Sequence, residues 1–441
     1  MNKLMRIWLS VLGFAIAFIV CIKPVQAFCG FYVAKADTDL YNQASQVVIA
    51  RDGQRTVLTM ANDYQGEVKD FAMVVPVPVI LKEEQVNVGK PEIIKRLDDF
   101  SAPRLVEYFD PDPCQVYLLR ENTAVLESAP QSRTRQEIAE DALGVTVEEQ
   151  FIVGEYDIVI LSAKESDGLE TWLIQNGYKI PRGASSLLQP YIKQNLKFFV
   201  AKVNLEEFDN SGFQKLRPLS MAYESPKFML PIRLGMMNAQ GDQDLIVYLL
   251  SPKGQIELTN YRTVKIPSDV EIPEFVQQEF PDFFTTMFQK AYEKENKQVA
   301  FLEYAWDMAS CDPCSAQPLN REELKQAGVF WLNSGSRSNV FITRLHVRYS
   351  RDKFPEDLIF QETGNRQLFQ GRYVIRHPFR EQISCDAGQN YQRSVKNRQE
   401  TEAQTLANLT GWDINEIRSK IDFISVDSNN SEQPWWRNLW N

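Results

Sequence analysis

In the first half of the chain, apolar and polar residues alternate in short runs. Residues 46–51 and 54–60 flank Asp52-Gly53, a dipeptide suited to a tight hairpin, and so read as two paired strands. A turn at Asn62-Asp63 and Gly66 leads into a strand over 71–79 that carries Pro76 and Pro78. Residues two apart aim their backbone N–H groups to one side, so these prolines blank one edge of the strand. It is expected at a sheet edge, or to leave the sheet there. Further strands are expected at 115–120, 145–153, 156–163, 196–203, 218–223, 227–236, 245–251 and 255–261. A capping box at Thr134-Arg-Gln-Glu137 opens a short helix stopped by Gly144, and 168–176 reads as another helix closed by Gly177. Parallel strands need long crossovers, whereas these runs are joined by short turns. The pattern predicts a largely antiparallel sheet with a few packed helices.

The period changes near Pro267 and Pro273. Phe284, Met287, Phe288, Ala291, Tyr292, Val299, Leu302 and Trp306 fall at roughly helical spacing, predicting one long amphipathic helix or two in tandem. The polar patch 293–298 is where such a helix would break, and the aromatic stripe reads as core. Asn320-Arg-Glu-Glu323 caps another short helix. Strands follow at 329–332 and 340–349, with shorter ones around Ile359 and Tyr373, then helices at 389–409 and 414–421, the last capped by Asp413 with Glu416. The expected class is α+β. A β-rich, largely antiparallel part spans 28–265, and a mixed helical and β part spans 266–441.

The first 27 residues read differently. Lys3 and Arg6 precede an uncharged apolar run, 7–22, and Val25-Gln26-Ala27 offers the small residues of a signal-peptidase site. The run falls short of the ~20 residues that span a bilayer comfortably. A cleaved signal is expected, with the mature chain starting at Phe28 and an uncleaved anchor as the alternative. No later stretch approaches membrane-span length. Removing Lys3, Arg6 and Lys23 moves the formal charge from −10 to −13, and the remaining cations are scattered, so no nucleic-acid footprint is present. An extracytoplasmic location follows, in the periplasm or secreted.

That compartment gives the cysteines meaning. Cys29, Cys114, Cys311, Cys314 and Cys385 survive processing, and in an oxidising space most should pair, in too many arrangements for sequence to choose among. Closing Cys29 to Cys114 would contribute about 4–5 kcal/mol by chain entropy, against about 2 for Cys311 to Cys314. Cys311-Asp-Pro-Cys314 has the spacing of a thiol–disulfide exchange site, with Cys311 the candidate attacking thiol. Yet the motif follows a helix in this reading, its next cap is Asn320, and Asp312 repels a thiolate, so a structural bridge is expected. Cys311, Cys314, Cys385 and His377 form a conceivable zinc set, but only one pair has ligand spacing and oxidation competes. His346, the other histidine, sits in an alternating strand as a packed or surface imidazole. Asp37/Asp39 and Asp110/Asp112 lack a calcium loop's spacing and read as solvated turns. H-E-x-x-H, G-x-S-x-G and phosphate-cradling loops are absent from the sequence, and no cofactor is expected. The tail places Trp435, Trp436 and Trp440 after the polar stretch 428–433. Self-docking is the expectation, and contact with a membrane surface or a partner is the alternative.

Several segments together are similar to a known family: CGFYVAKAD from Cys29, VVIARDGQRTVLTMAND from Val47, FAMVVPVP from Phe71 and RLVEYFDPDPC from Arg104. EYAWDMASCDPCS from Glu303 and the long run from Thr343 to Pro378 continue the likeness over nearly the whole mature chain. The chain resembles exported bacterial proteins grouped as a domain of unknown function of the DUF2330 type. The resemblance implies compartment and a shared fold, and carries over no catalytic residue. The expected role is non-catalytic binding or envelope association, with partners unknown. A thiol–disulfide oxidoreductase using Cys311 and Cys314 is the alternative.

Overall fold

A computed structural model describes residues 31–34, 41–42, 45–61, 64–65, 71–114, 145–176, 184–211, 216–237, 241–332, 339–381, 383 and 385–425. The strands of its largest sheet are numbered in chain order: β1 Ser45–Asp52, β2 Arg55–Ala61, β3 Val86–Val88, β4 Leu219–Glu224 and β5 Gln243–Ser251. They continue with β6 Arg262–Lys265, β7 Val299–Asp307, β8 Phe341–Tyr349 and β9 Phe369–Gln370. Across the sheet the order is β6-β7-β8-β5-β1-β2-β4-β3, with β9 also pairing β7. β1 lies parallel to β5 and β6 parallel to β7, and the other ladders are antiparallel. The fold is α+β, with mixed and antiparallel sheets. The expected division at 265/266 falls inside this sheet, which takes β1–β6 from one side of it and β7–β9 from the other.

The hairpin forms as the Asp-Gly signal predicts. Asp52 pairs with Arg55, and Gly53 turns the chain at φ 62, a conformation cheap only for glycine. A second, five-stranded antiparallel sheet runs Phe31–Ala34, Phe71–Val77, Lys197–Val203, Tyr156–Ala163, Val145–Val153. Its proline strand behaves as the missing donors require. It is paired on both sides up to Val74, only to Lys197–Val203 at Pro76, and it ends at Val77 before Pro78.

Helices α1 Pro91–Ser101, α2 Ser166–Gln175, α3 Ala184–Lys193, α4 Leu205–Ser211, α5 Phe280–Lys294, α6 Arg321–Gln326, α7 Asp386–Thr410 and α8 Ile414–Lys420 cover the outer faces. Alternation sorts the side chains into layers. Val47, Ile49, Val247, Leu249, Leu345 and Val347 face the five-stranded sheet, meeting Met73, Val75, Ile158, Phe199 and Ala201. The residues between them, Val48, Ala50, Ile246, Tyr248 and Ile342, face α1 and α6. α5, α7 and α8 extend this cover through Phe283, Met287, Phe288, Leu406 and Ile417. On the far side, α2 and α3 cap Val74, Phe198 and Val200. The order is helices, five-stranded sheet, large sheet, helices. Among the described residues, no helix is long and apolar enough to cross a membrane.

Three expectations change. Val299, Leu302 and Trp306 lie on strand β7 rather than on a helix continuing from Phe284. The helix ends at Lys294, and Asn296 and Lys297 reverse the chain at φ 56 and 61. Only Met229–Leu230 of the expected strand 227–236 is extended, since Pro231 has no N–H to offer a ladder. Residues 329–332 form no strand, and α1, α3 and α4 were not foreseen. The expected strand 115–120 and the capping box at 134–137 lie outside the described residues.

Candidate functional site

The large sheet carries a row of charges on its helix-covered face, built by strand geometry. On β8, alternation puts Arg344, His346 and Arg348 on that face while Leu345 and Val347 enter the core. On β5, Asp244 and Tyr248 share it. On β7 the ladder slips between Leu302 and Tyr304, so Glu303 is an extra residue opposite β8. This β-bulge shifts the phase of the strand. Phe301 and Glu303 face the helices before it, and Tyr304 does so after it. α1 adds Asp98 and α5 adds Gln289 and Phe288.

The row alternates in sign. Arg344 Nε donates to Glu303 Oε2 at 2.6 Å, and its Nη1 donates to Asp98 Oδ1 at 2.6 Å. Glu303 Oε1 lies 2.8 Å from His346 Nδ1, and His346 Nε2 lies 3.0 Å from Asp244 Oδ1. Arg348 clamps Asp244 with two bonds of 2.8 and 2.7 Å and donates to Gln289 at 2.7 Å. Tyr248 donates to Asp98 at 2.7 Å and accepts from Gln46 at 3.0 Å. Phe288 stacks on the imidazole with ring centroids 4.0 Å apart.

Glu303 is 1% exposed, so its charge survives only through its partners. Burial raises its pKa, but His346 and Arg344 override this and leave it lowered. Burial works against the His346 cation, yet Glu303 and Asp244 hold its pKa up to about 9. Burial likewise pushes Asp244 up, and His346 with Arg348 brings it down to about 2. Hydrogen bonding gives the same answer independently. Carboxylates only accept, so both ring nitrogens of His346 must donate, and the ring is an imidazolium. It has no lone pair for a metal or for general-base work. Three cations and three anions neutralise one another, and this chemistry is turned inward.

His377 repeats the device near the surface. It ends a strand, Arg372–His377, that lies parallel to Arg104–Phe109. Its Nε2 is 2.8 Å from Glu107, its Nδ1 is 3.3 Å from Glu274, and Phe109 stacks on it at 4.4 Å. Asp110 is not the solvated turn that the sequence suggested, because Arg398 and Tyr391 both donate to it at 2.8 Å. Asp112 does cap a turn, accepting from Cys114 N at 2.8 Å. One carboxyl had no signal in the sequence. Glu402 of α7 is 4% exposed, and burial lifts its pKa to about 7, with Arg398 opposing and Glu271, Glu274 and Asp110 adding to the lift.

The cysteines are placed in two pairs at bonding distance. Cys114 and Cys385, 271 residues apart in sequence, have Cα atoms 6.0 Å apart and tie the segment after Phe109 to the start of α7. Cys311 and Cys314, with Cα atoms 5.0 Å apart, sit on a loop that follows strand β7, not a long helix. The next helix, α6, is capped by Asn320 as expected. The loop is pinned at three points. Gln370 donates to Asp312 O at 2.6 Å, Arg104 to Pro313 O at 3.3 Å and Ser315 to Asp99 O at 2.6 Å. Cys311 is half-buried beside the α1 cluster, and Cys314 is exposed. The zinc set is therefore divided. Cys385 belongs to Cys114, Cys311 to Cys314, and His377 to two glutamates. Among the described residues, no group of three or more His, Cys, Asp or Glu is placed to hold a metal ion. Cys29, Asp37, Asp39, Trp435, Trp436 and Trp440 lie outside the described residues.

Two concavities open elsewhere. A groove of about 600 Å³ lies between the β2, β4 and β3 surface (Val57, Ala222, Val88) and the segment from Gly328 to Leu332. A second, of about 370 Å³, lies at the β6 edge of the large sheet.

No curated protein and no solved structure matches the chain. A family model does, over residues 23–361, well over half of the sequence, and its family is described as an uncharacterized protein conserved in bacteria. The likeness seen from Cys29 through the β8 region thus has its source, and the chain belongs to the DUF2330 family.

Proposed function

We propose that this chain is an exported, non-catalytic binding protein braced by disulfides and working outside the cytoplasm. The Cys114–Cys385 pair carries the reading. A bridge closing so long a loop contributes about 5.5 kcal/mol in the chain-entropy model, and persists only where thiols are not kept reduced. The apolar run before Ala27 supports the same compartment. The charge row supports a non-catalytic role, since its acid and base groups are consumed by one another, while the two concavities offer room for a ligand.

The test is to express the full chain in a bacterial host, separate the extracytoplasmic fraction, and alkylate thiols before and after reduction. Four cysteines should resist alkylation until reduced, and the isolated protein should begin at Phe28. Recovery in the cytosol with every cysteine alkylated directly would sink the proposal. The exposure of Cys314 favours a second reading, thiol–disulfide exchange at Cys311 and Cys314. A reduction potential below about −300 mV supports a structural bridge, and one between about −270 and −120 mV supports exchange.

A further inference from the structure

The smaller concavity is built by three chain segments. Gln255 and Glu257 flank Ile256 in the strand Ile256–Leu258, Thr263 and Lys265 come from β6, and Asn365, Gln367 and Phe369 come from the segment entering β9. They line one cavity of about 370 Å³ together with Leu258, Tyr261, Leu302 and Arg262, the last already paired with Glu295 at 2.8 Å. Gly254 allows the segments to close together, since a Cβ there would lie 2.4 Å from Asn365 O. Gln255 N donates to that oxygen at 2.7 Å and Thr363 N donates to Gln255 O at 3.1 Å, so the walls are fixed.

The polar groups on these walls have few protein partners, and Gln367 and Lys265 are exposed to water. Gln255 is 8% exposed; its Oε1 accepts only a long 3.5 Å bond from Asn365, and its Nε2 has no hydrogen bond among the described residues. Glu257 accepts one 3.4 Å bond from Asn365. The Gln367 side chain makes no hydrogen bond among the described residues. Lys265 stands 4.9 Å from the centre of the Phe369 ring and has no carboxylate partner among them.

The lining thus combines amide donors and acceptors, a carboxylate acceptor, an aromatic ring and a cation lacking a counter-ion. An apolar ligand would strand the amides. A polyhydroxylated ring satisfies them, because adjacent hydroxyls donate to Glu257 and accept from Gln255 and Gln367 while the C–H face lies on Phe369. A carboxylate on that ring supplies the anion for Lys265. We propose that the cavity framed by Gln255, Glu257, Lys265, Gln367 and Phe369 binds a small acidic sugar of the hexuronate class, which rests on the binding role proposed above and names its ligand.

The test is calorimetric titration of the mature chain with D-glucuronate, D-galacturonate, D-glucose, acetate and glycine. The uronates should bind saturably, glucose about tenfold more weakly, and acetate and glycine not at all. Lys265→Met should bring uronate affinity down to that of glucose and leave glucose unchanged, whereas Glu257→Gln should weaken both sugars. Thermal midpoints of both variants should match the wild type. Equal affinity for acetate and uronate, tighter binding of glycine, or uronate binding untouched in both variants would overturn the assignment. Conversion of a uronate to product, followed by NMR in the same sample, would sink the non-catalytic reading and leave the cavity assigned. Saturable binding of a non-sugar that survives both substitutions would do the reverse.

Discussion

Glu303 Oε1 and His346 Nδ1 meet at 2.8 Å across neighbouring strands because β7 carries one residue more than β8 at that point. The bulge turns a carboxylate from the middle of an otherwise apolar strand onto the helix-covered face, where two cations await it. Glu303→Gln removes the anion but keeps the volume, leaving Arg344 and His346 under-compensated. A loss of about 3–5 kcal/mol is expected in chemical denaturation. Glu303→Leu combined with His346→Leu should cost less than the sum of the two single changes, since the residues act as a unit.

The same contact sets an alkaline limit. His346 binds its proton more tightly folded than unfolded, with a pKa of about 9 against 6.5. Its contribution is therefore complete below about pH 6.5 and is lost as pH rises through about 9. Unfolding free energy should fall across that window in the wild type and lose this component of the slope in His346→Gln. NMR titration of the two imidazoles gives the direct check, and a His346 midpoint at or below its ordinary value would refute it.

Glu402 acts over a different window. Its carboxyl is raised from 4.5 to about 7, so the folded protein binds the proton better, and stability declines as pH rises between those values. Glu402→Gln should raise the thermal midpoint at pH 8 and change it little at pH 4.5. The gain should be on the order of 3 kcal/mol at most, since the change also takes a partner from Arg398. A uniform change at both pH values would mean that packing, not titration, decides.

Local chemistry made part of this fold legible. The Asp52-Gly53 hairpin, the Asn320–Glu323 capping box and the Asp413 cap each rest on a few adjacent residues, and each forms. Alternation on β8 marked Leu345, Val347 and Tyr349, and so placed His346 correctly on the opposite face. β7 was read as helix for a physical reason. It lies between β6 or β9 and β8 with both faces covered, so it is apolar at nearly every position and has no period of two. The charge row was hidden for a different reason. Asp98, Asp244, Glu303 and Arg344 are far apart in sequence, and only the register of three strands, the bulge and the packing of α1 bring them together. Cysteine pairing is illegible for the same cause, because nothing near Cys114 announces Cys385.

The terminal tryptophans lend themselves to a direct test. Trp435, Trp436 and Trp440 carry large apolar rings, and the chain's formal charge of −10 works against approach to an anionic membrane surface. Truncation after Gln433 is expected to lower the melting temperature and to leave membrane fractionation unchanged. A truncated protein of unchanged stability that no longer sediments with membranes would move the tail's role to the bilayer.

The two cysteine pairs should differ sharply in what their removal costs. Cys114 and Cys385 close a loop of 271 residues, whereas Cys311 and Cys314 close three, so chain entropy favours the long bridge by about 4 kcal/mol. The short loop has other supports, since Gln370, Arg104 and Ser315 bind it to β9, the strand Arg104–Phe109 and α1 through hydrogen bonds that do not depend on sulfur. Cys114→Ser with Cys385→Ser should therefore lower the denaturation midpoint markedly and speed proteolysis around α7. Cys311→Ser with Cys314→Ser should have a small effect on the midpoint and leave α1 protected in hydrogen exchange. If the second pair proves the costlier, its loop is not held by those three bonds. If neither pair changes stability but the second alone abolishes disulfide transfer to a reduced substrate protein, the exchange reading replaces the structural one.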